Sequence, residues 1–219
     1  AFLKAWAEAH KIVSNSAHTA HLAVGTQEWV LPIPLFEKQG AWRFDTIAAA
    51  DEIRTRRIGR NELATMQAVL AYYDAQKEYA RVDRNGDGAL EYAQQIISTP
   101  GKQNGLYWAA LEGEDPSPLG PLYGEDRHGY DYEGYQYRIL TAQGDSAPGG
   151  AYDYIINGRL IAGFALVAWP AKYGDSGVMS FIVSHDAVIY EKDLGTESDA
   201  VARSMPLFNP DSSWHKANP

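Results

Sequence analysis

Between Asn61 and Gln94 the chain commits itself to a shape. Leu63, Met66, Leu70, Tyr73 and Lys77 recur at three- and four-residue spacing, with Val69 and Ala80 beside them. That period gives a long amphipathic helix with one apolar stripe, and such a stripe must be covered by another layer. The helix runs into Asp83-Arg84-Asn85-Gly86-Asp87-Gly88-Ala89-Leu90-Glu91. Oxygen-bearing side chains alternate there, and a glycine sits where a tight cation loop bends. Numbered as a twelve-residue calcium loop, Asp83 is position one, Asn85 three, Asp87 five and Gly88 six. The Ala89 carbonyl is seven and Glu91 nine. A hard cation needs several converging oxygens, and this spacing turns alternate side chains inward. Position twelve is Gln94 rather than a bidentate glutamate, which removes a charge and up to two ligands. The same residues also make a tight polar turn without any ion, because Asn-Gly and Asp-Gly are turn formers. If calcium binds, the missing glutamate favours a structural staple over a sensing switch.

Around this stretch the elements follow in order. Phe2, Trp6, Ala9 and Val13 give helical spacing over Ala1–Val13, and His18–Val24 suits a short strand. Glu28–Phe36 alternates as an extended segment, but Pro32 and Pro34 remove ladder donors and make it an edge strand. Glu37-Lys38-Gln39-Gly40 is a turn into Ala41–Asp45, whose Trp42 and Phe44 share one face. A separate helix is expected over Ala48–Ile58, stopped by Gly59, with Asn61 capping the next one. Glu91–Ile97 reads as one or two further turns of helix. Thr99–Tyr132, rich in Gly, Pro and acids, reads as a surface excursion pinned by Tyr107, Trp108, Leu111, Leu119 and Leu122. From Gly134 the pattern is β: Tyr135–Thr141, then strands flanking Asn157-Gly158, a strong hairpin signal, then a hairpin around His185-Asp186. A short helix near Asp199–Ser204 and a tail docking Phe208 and Trp214 complete the chain.

A formal charge of -9 makes a surface that repels phosphate backbones, so nucleic acid is not an expected partner. No apolar run is long enough for a membrane span. The absence of cysteine rules out disulfides, thiolate metal sites and a cysteine nucleophile. Because the chain opens at Ala1-Phe2-Leu3, already at helical spacing, a processed product or a piece of a longer precursor is expected.

Catalytic patterns are sparse. Ser176, His185 and Asp186 lie close in sequence, but Gly174-Asp175-Ser176-Gly177 lacks the nucleophile-elbow frame and sits between two strands. The six histidines show no H-x-x-x-H pair. Tyr130, Tyr132, Tyr135 and Tyr137, with Tyr107 and Trp108, suit either an aromatic platform for a glycan or peptide, or a packed strand face. Arg54, Arg56, Arg57 and Arg60 fall where the second helix is expected to end, and there they would complement its dipole. Glu114, Asp115, Glu125, Asp126, Asp131 and Glu133 supply carboxylates that, if paired in a cleft, would serve as acid and base.

Several stretches resemble a bacterial exported family catalogued as domain of unknown function 2950. They are Trp42-Arg43-Phe44-Asp45-Thr46, Arg56-Arg57-Ile58-Gly59-Arg60-Asn61-Glu62-Leu63, Ser98-Thr99-Pro100-Gly101-Lys102 and Pro116-Ser117-Pro118-Leu119-Gly120-Pro121-Leu122. Ala147-Pro148-Gly149-Gly150-Ala151-Tyr152-Asp153-Tyr154 and Phe181-Ile182-Val183-Ser184-His185-Asp186 belong with them. The resemblance spans Trp29 to Trp214. It implies export to the Gram-negative envelope, a signal peptide and a further segment upstream, and no assigned activity. In fold the chain is similar to the globular heads of type IV pilins and pseudopilins, without their apolar stem. Its first portion is similar to the closing half of a cystatin-like cone.

These readings converge on an α+β protein. Residues 1–46 form a helix-plus-hairpin portion, and residues 47–219 a long helix packed on an antiparallel sheet in a pilin-head-like layout. The expected function is a non-catalytic, exported (periplasmic) binding or structural module meeting an envelope protein or polysaccharide. Calcium is its candidate structural cofactor, at Asp83, Asn85, Asp87, Ala89 and Glu91. The alternative is a hydrolase acting on an envelope polymer or glycan, with its site between the excursion and the sheet.

Overall fold

In the computed structural model, residues 1–110, 113, 115–120 and 132–218 are described. The protein is α+β, with three helices and antiparallel sheets among these residues. It divides into two compact units, Ala1–Arg57 and Ile58–Pro219, and the division falls inside one helix.

The first unit begins with α1 (Phe2–Glu8), shorter than the helix expected from the spacing. After Ala9, which is extended at φ -162, the chain enters β1 (His10–Ser14) and pairs along β2 (Thr19–Val24). Ile12 and Val13, placed in a helix by the period, are thus strand residues. Their β-branched side chains suit an extended backbone. The proline-bearing segment is broken as well. It yields β3 (Trp29–Val30) and β4 (Leu35–Lys38), with no ladder at Pro32 or Pro34. A two-residue turn at Gln39 (φ 57) and Gly40 (φ 79) leads into β5 (Ala41–Phe44). The strand order is β1-β2-β4-β5, with β3 paired to β2.

Asp45 caps the long helix by accepting the amides of Ile47 and Ala48 at 3.1 and 2.9 Å. That helix, α2, runs unbroken from Thr46 to Tyr79. Gly59 does not end it, and Asn61 does not cap a second helix. A mid-helix glycine costs about 1 kcal/mol, which the surrounding turns absorb. Asn61 is buried and donates to the Ser176 carbonyl at 2.9 Å. The arginine cluster therefore lies mid-helix rather than at a C-terminus. Arg54 pairs with Asp51, and Arg56 pairs with Glu52 at 2.7 Å and donates to the Val30 carbonyl. The buried stripe is Thr65, Met66, Val69, Tyr72, Gln76 and Tyr79, about one residue round from the expected one, and Leu63 is 58% exposed.

In the second unit, β6 (Tyr135–Leu140), β11 (Ala165–Pro170), β12 (Met179–Ser184), β13 (Ile189–Asp193) and β14 (His215–Lys216) form a five-stranded antiparallel sheet in the order β14-β13-β12-β11-β6. Every residue of β11 is buried, as suits an interior strand paired on both sides, by β12 and β6. Between β6 and β11 lie β7 (Ala142–Gln143) with β8 (Tyr152–Asp153), and β9 (Ile155–Ile156) with β10 (Arg159–Leu160). Asn157 and Gly158, both at positive φ, turn the β9–β10 hairpin. Met66, Val69 and Tyr72 share one buried cluster with Tyr135, Phe164, Leu166 and Phe181. The Tyr72 hydroxyl donates to the Ala165 carbonyl at 3.1 Å. Helix α3 (Ser198–Ser204) ends where Arg138 donates to the Ala202 and Met205 carbonyls. Phe208 is fully buried.

Candidate functional site

The chain leaves α2 at Tyr79, and the loop from Asp83 to Glu91 folds on its own side chains. Both carboxylate oxygens of Asp83 accept backbone amides, from Gly86 and Gly88 at 2.8 Å each. Asn85 Oδ1 accepts the Asp87 amide at 3.1 Å, and Asp87 Oδ1 accepts the Ala89 amide at 3.0 Å. Positive φ at Gly86 and Gly88 lets the backbone turn so tightly. Of the expected ligand residues, Asn85, Asp87 and Glu91 come directly together. Asn85 Nδ2 donates to Asp87 Oδ2 at 3.2 Å and to Glu91 Oε1 at 2.8 Å. Asp83 is spent on amides, and Ala89 contributes its N–H.

What the sequence did not reveal is Arg159, at the start of β10. Its Nε and a terminal nitrogen reach Asp87 Oδ2 at 2.9 and 2.7 Å. N–H donors from Arg159 and Asn85 thus stand where a cation would. Among the described residues no group of three or more His, Asp or Glu side chains stands as a ready cage for a metal ion. The donor set suits a hard cation only after exchange, with these donors turned away and the oxygens closing in.

The electrostatics divide the carboxylates of Asp87 and Glu91. Arg159 holds Asp87 below the usual carboxylate range, chiefly by its hydrogen bond. Glu91 is pushed up, first by desolvation and then by the neighbouring Asp87 charge. Glu91 also faces a cavity of about 220 Å³ lined with Tyr79, Tyr92, Gln94, Gln95 and Asn104.

The residues after the loop form no helix. Ala93 bonds both ways to the buried side chain of Gln76, and Ile97 bridges Tyr107. The expected helical turns at Glu91–Ile97 are replaced because the backbone bonds go elsewhere: Tyr92 donates to the Leu160 carbonyl, Ala93 pairs with Gln76, and the Gln95 and Ile96 carbonyls accept the Leu106 and Tyr107 amides. Beyond them lies a larger cleft of about 490 Å³, with Ser98, Thr99, Lys102, Gln103, Tyr107 and Trp108 in its walls. Trp108 donates its indole N–H to the Asp115 carbonyl at 3.2 Å. The Arg84 guanidinium lies over the rings of Tyr79 and Trp108, about 5 Å from each centroid. This cation–π sandwich ties the start of the Asp83–Glu91 loop to the cleft wall.

Other candidates fall elsewhere. Ser176 precedes β12 and His185 follows it, so a six-residue strand of about 20 Å separates them. The Ser176 hydroxyl is engaged with its own turn at Lys172. His185 meets Tyr152 at 3.3 Å, with Asp186 at 4.0 Å. Tyr135 and Tyr137 are buried in the core rather than displayed as a platform. Asp115 contributes a carbonyl, and Glu133 sits in a turn at φ 52. Leu111, Glu114, Leu122, Glu125, Asp126, Tyr130 and Asp131 lie outside the described residues.

Against this geometry, a family model described as a protein of unknown function (DUF2950) matches residues 1–217. The chain belongs to that family, and the match reaches further toward the N-terminus than the recognisable stretches did. No curated protein and no solved structure matches.

Proposed function

We propose that the protein is a non-catalytic binding module of the bacterial envelope, exported to the periplasm. Its ligand cleft is the one walled by Tyr107 and Trp108, and its Asp83–Glu91 loop is a structural calcium staple beside it. The cleft carries the reading. The half-buried Tyr107 ring, set beside Thr99, Lys102 and Gln103, offers a stacking face and hydrogen-bonding groups, while the buried Trp108, engaged by Arg84 and the Asp115 carbonyl, closes the wall. That is the chemistry a sugar polymer or an extended peptide requires. Calcium supports the cleft from behind. On entering, it would take Asp83, Asn85, Asp87, the Ala89 carbonyl and Glu91 as ligands and displace Arg159. Exchange of that kind costs affinity, so binding weaker than that of a sensor loop is expected. In layout the long helix against the five-stranded sheet is pilin-head-like, which is an analogy of fold alone. No helix among the described residues is long and apolar enough to cross a membrane.

The test is calorimetric titration of soluble peptidoglycan and lipopolysaccharide-core oligosaccharides. Tyr107→Ala should lose binding of whichever polymer the wild type retains. Binding that survives Tyr107→Ala overturns the cleft assignment. Fractionation of cells expressing the intact gene product should find it in the envelope, and a cytoplasmic location overturns the export reading.

A second reading, hydrolysis of an envelope polymer or glycan, is favoured by one observation. Asp87 and Glu91 flank the Asn85 amide, no farther apart than two hydrogen bonds laid end to end. Their proton affinities diverge in the sense that suits a base and an acid. Turnover of a peptidoglycan oligomer that disappears in Glu91→Gln would promote this reading over the first.

A further inference from the structure

The first unit carries an interaction surface separate from the cleft. Strand β5 ends the order β1-β2-β4-β5, and no strand among the described residues pairs with its outer edge. All four of its residues are exposed. The register fixes which backbone groups face outward. Lys38 and Ala41 flank the two-residue turn, so they and the pair Phe36–Arg43 exchange the ladder bonds. Asp45 continues the alternation, donating to the Pro34 carbonyl at 2.8 Å. Trp42 and Phe44 are the non-bonded pairs, so their N–H and C=O groups point away from β4.

The two faces of this edge differ in chemistry. Trp42 and Phe44 lie on one face, 47% and 50% exposed. Glu37, opposite Trp42, is held by His18 and the Gly40 amide. On the other face lie Lys38 and Arg43, neither with an ion-pair partner among the described residues. The opposite edge of the sheet is unlike it, for Lys11 on β1 is already paired with Glu28 at 2.5 Å.

We propose that β5 docks an extended peptide strand of a partner protein. In that strand apolar residues alternate with carboxylates: the apolar positions cover Trp42 and Phe44, and the carboxylates meet Arg43 and Lys38. Main-chain bonds to the outward groups of Trp42 and Phe44 supply affinity, and the alternation supplies register. A second copy of this chain is a poor occupant. Antiparallel β5–β5 pairing centred on Arg43 sets arginine against arginine, and like charges directly opposite repel. An open edge with exposed aromatics is also an aggregation hazard that a dedicated partner would remove.

The experiment uses the full chain and a fluorescein-labelled hexapeptide of alternating valine and glutamate, read by polarisation. Its valine–lysine counterpart serves as control. The acidic peptide should bind and the basic one should not. Arg43→Glu should weaken the acidic peptide about tenfold and admit the basic one, as expected from reversing a directly opposed charge. N-methylation of the peptide amides that face β5 should abolish binding, a readout that needs no protein variant. Failure of the acidic peptide to bind at millimolar concentration overturns the proposal, and so does equal binding of both peptides. A concentration-dependent dimer in light scattering that is lost in Arg43→Glu overturns it in favour of a second copy. These outcomes are independent of Tyr107→Ala, so the surface and the cleft fail separately.

Discussion

Replacing Gln76 tests how the loop and the cleft are fastened to the helix. Gln76 is fully buried on α2. It behaves like a strand residue: Nε2 donates to the Ala93 carbonyl at 2.8 Å, and Oε1 accepts the Ala93 amide at 2.8 Å. A further bond at 3.0 Å reaches the Tyr72 hydroxyl, which passes the connection to Ala165 on β11. Gln76→Met keeps most of the volume and removes every bond. It orphans a buried N–H and a buried C=O, each costing about 1–3 kcal/mol, so a loss of about 3 kcal/mol is expected. Gln76→Ala adds a cavity and should cost about 1–2 kcal/mol more. For a chain of this size, 3 kcal/mol lowers the melting temperature by about 6–12 °C. Urea unfolding followed by circular dichroism gives the free energy, and hydrogen exchange of the peptide spanning Ala93 gives the location. If Gln76→Met unfolds within about 0.5 kcal/mol of wild type with Ala93 still protected, that difference lies within ordinary surface-substitution effects, and the clamp is not what holds this segment.

Three further predictions bear on the loop and the core. Glu91 has a raised proton affinity, so its contribution to stability is full below the ordinary value of 4.5 and is lost as the pH rises through its folded value. Glu91→Gln should therefore melt higher than wild type at neutral pH without calcium, converge with it near pH 4, and melt lower with millimolar calcium; a variant that calcium stabilises as much as wild type removes Glu91 from the ligand set. Arg159→Gln withdraws the competing guanidinium from Asp87, so calcium affinity by calorimetry should rise several-fold, and unchanged affinity would mean that Arg159 does not compete. The stability that Asp87 contributes is present above 3.8 and is lost as the pH falls through its lowered folded value, so Arg159→Gln should be less stable than wild type above 3.8 and converge with it as the pH falls below that range. Gly177→Ala would drive a methyl group to 2.1 Å from the Tyr135 hydroxyl, which is itself fixed on the Met179 carbonyl, and a loss of about 2–3 kcal/mol in urea unfolding is expected.

The fold was legible where a local rule and the tertiary structure agree. Asn157-Gly158 turns a hairpin, Gln39-Gly40 turns another, and β12 and β13 flank His185-Asp186 as the alternation indicates. It was not legible where a tertiary gain overrules a local penalty. Gly59 looks like a stop, yet the helix continues. Glu62, three residues on, accepts the Val178 and Met179 amides at 2.9 and 3.0 Å, and Asn61 binds Ser176. Those contacts rely on residues 58–62 remaining helical, and α2 continues through Gly59. The same bias explains Glu91–Ile97: its helical spacing competes with Gln76, a partner fifteen or more residues upstream, for the Ala93 backbone groups.

The candidate site divides along the same line. That Asp83, Asn85, Asp87 and Glu91 lie in one self-bonded loop was legible because the alternation falls within one short stretch. The group that occupies Asp87 comes from elsewhere. Arg159 lies 72 residues beyond Asp87 and arrives because the Asn157-Gly158 turn swings β10 back toward it. A one-stretch motif is therefore evidence for which oxygens exist, and never for whether they are free. Here Asp83 is committed to two amides, and Asp87 to an arginine. The loop can hold its shape without a cation. On the proposed reading, calcium would have to displace Arg159 from Asp87, which fits a structural staple better than a sensitive switch.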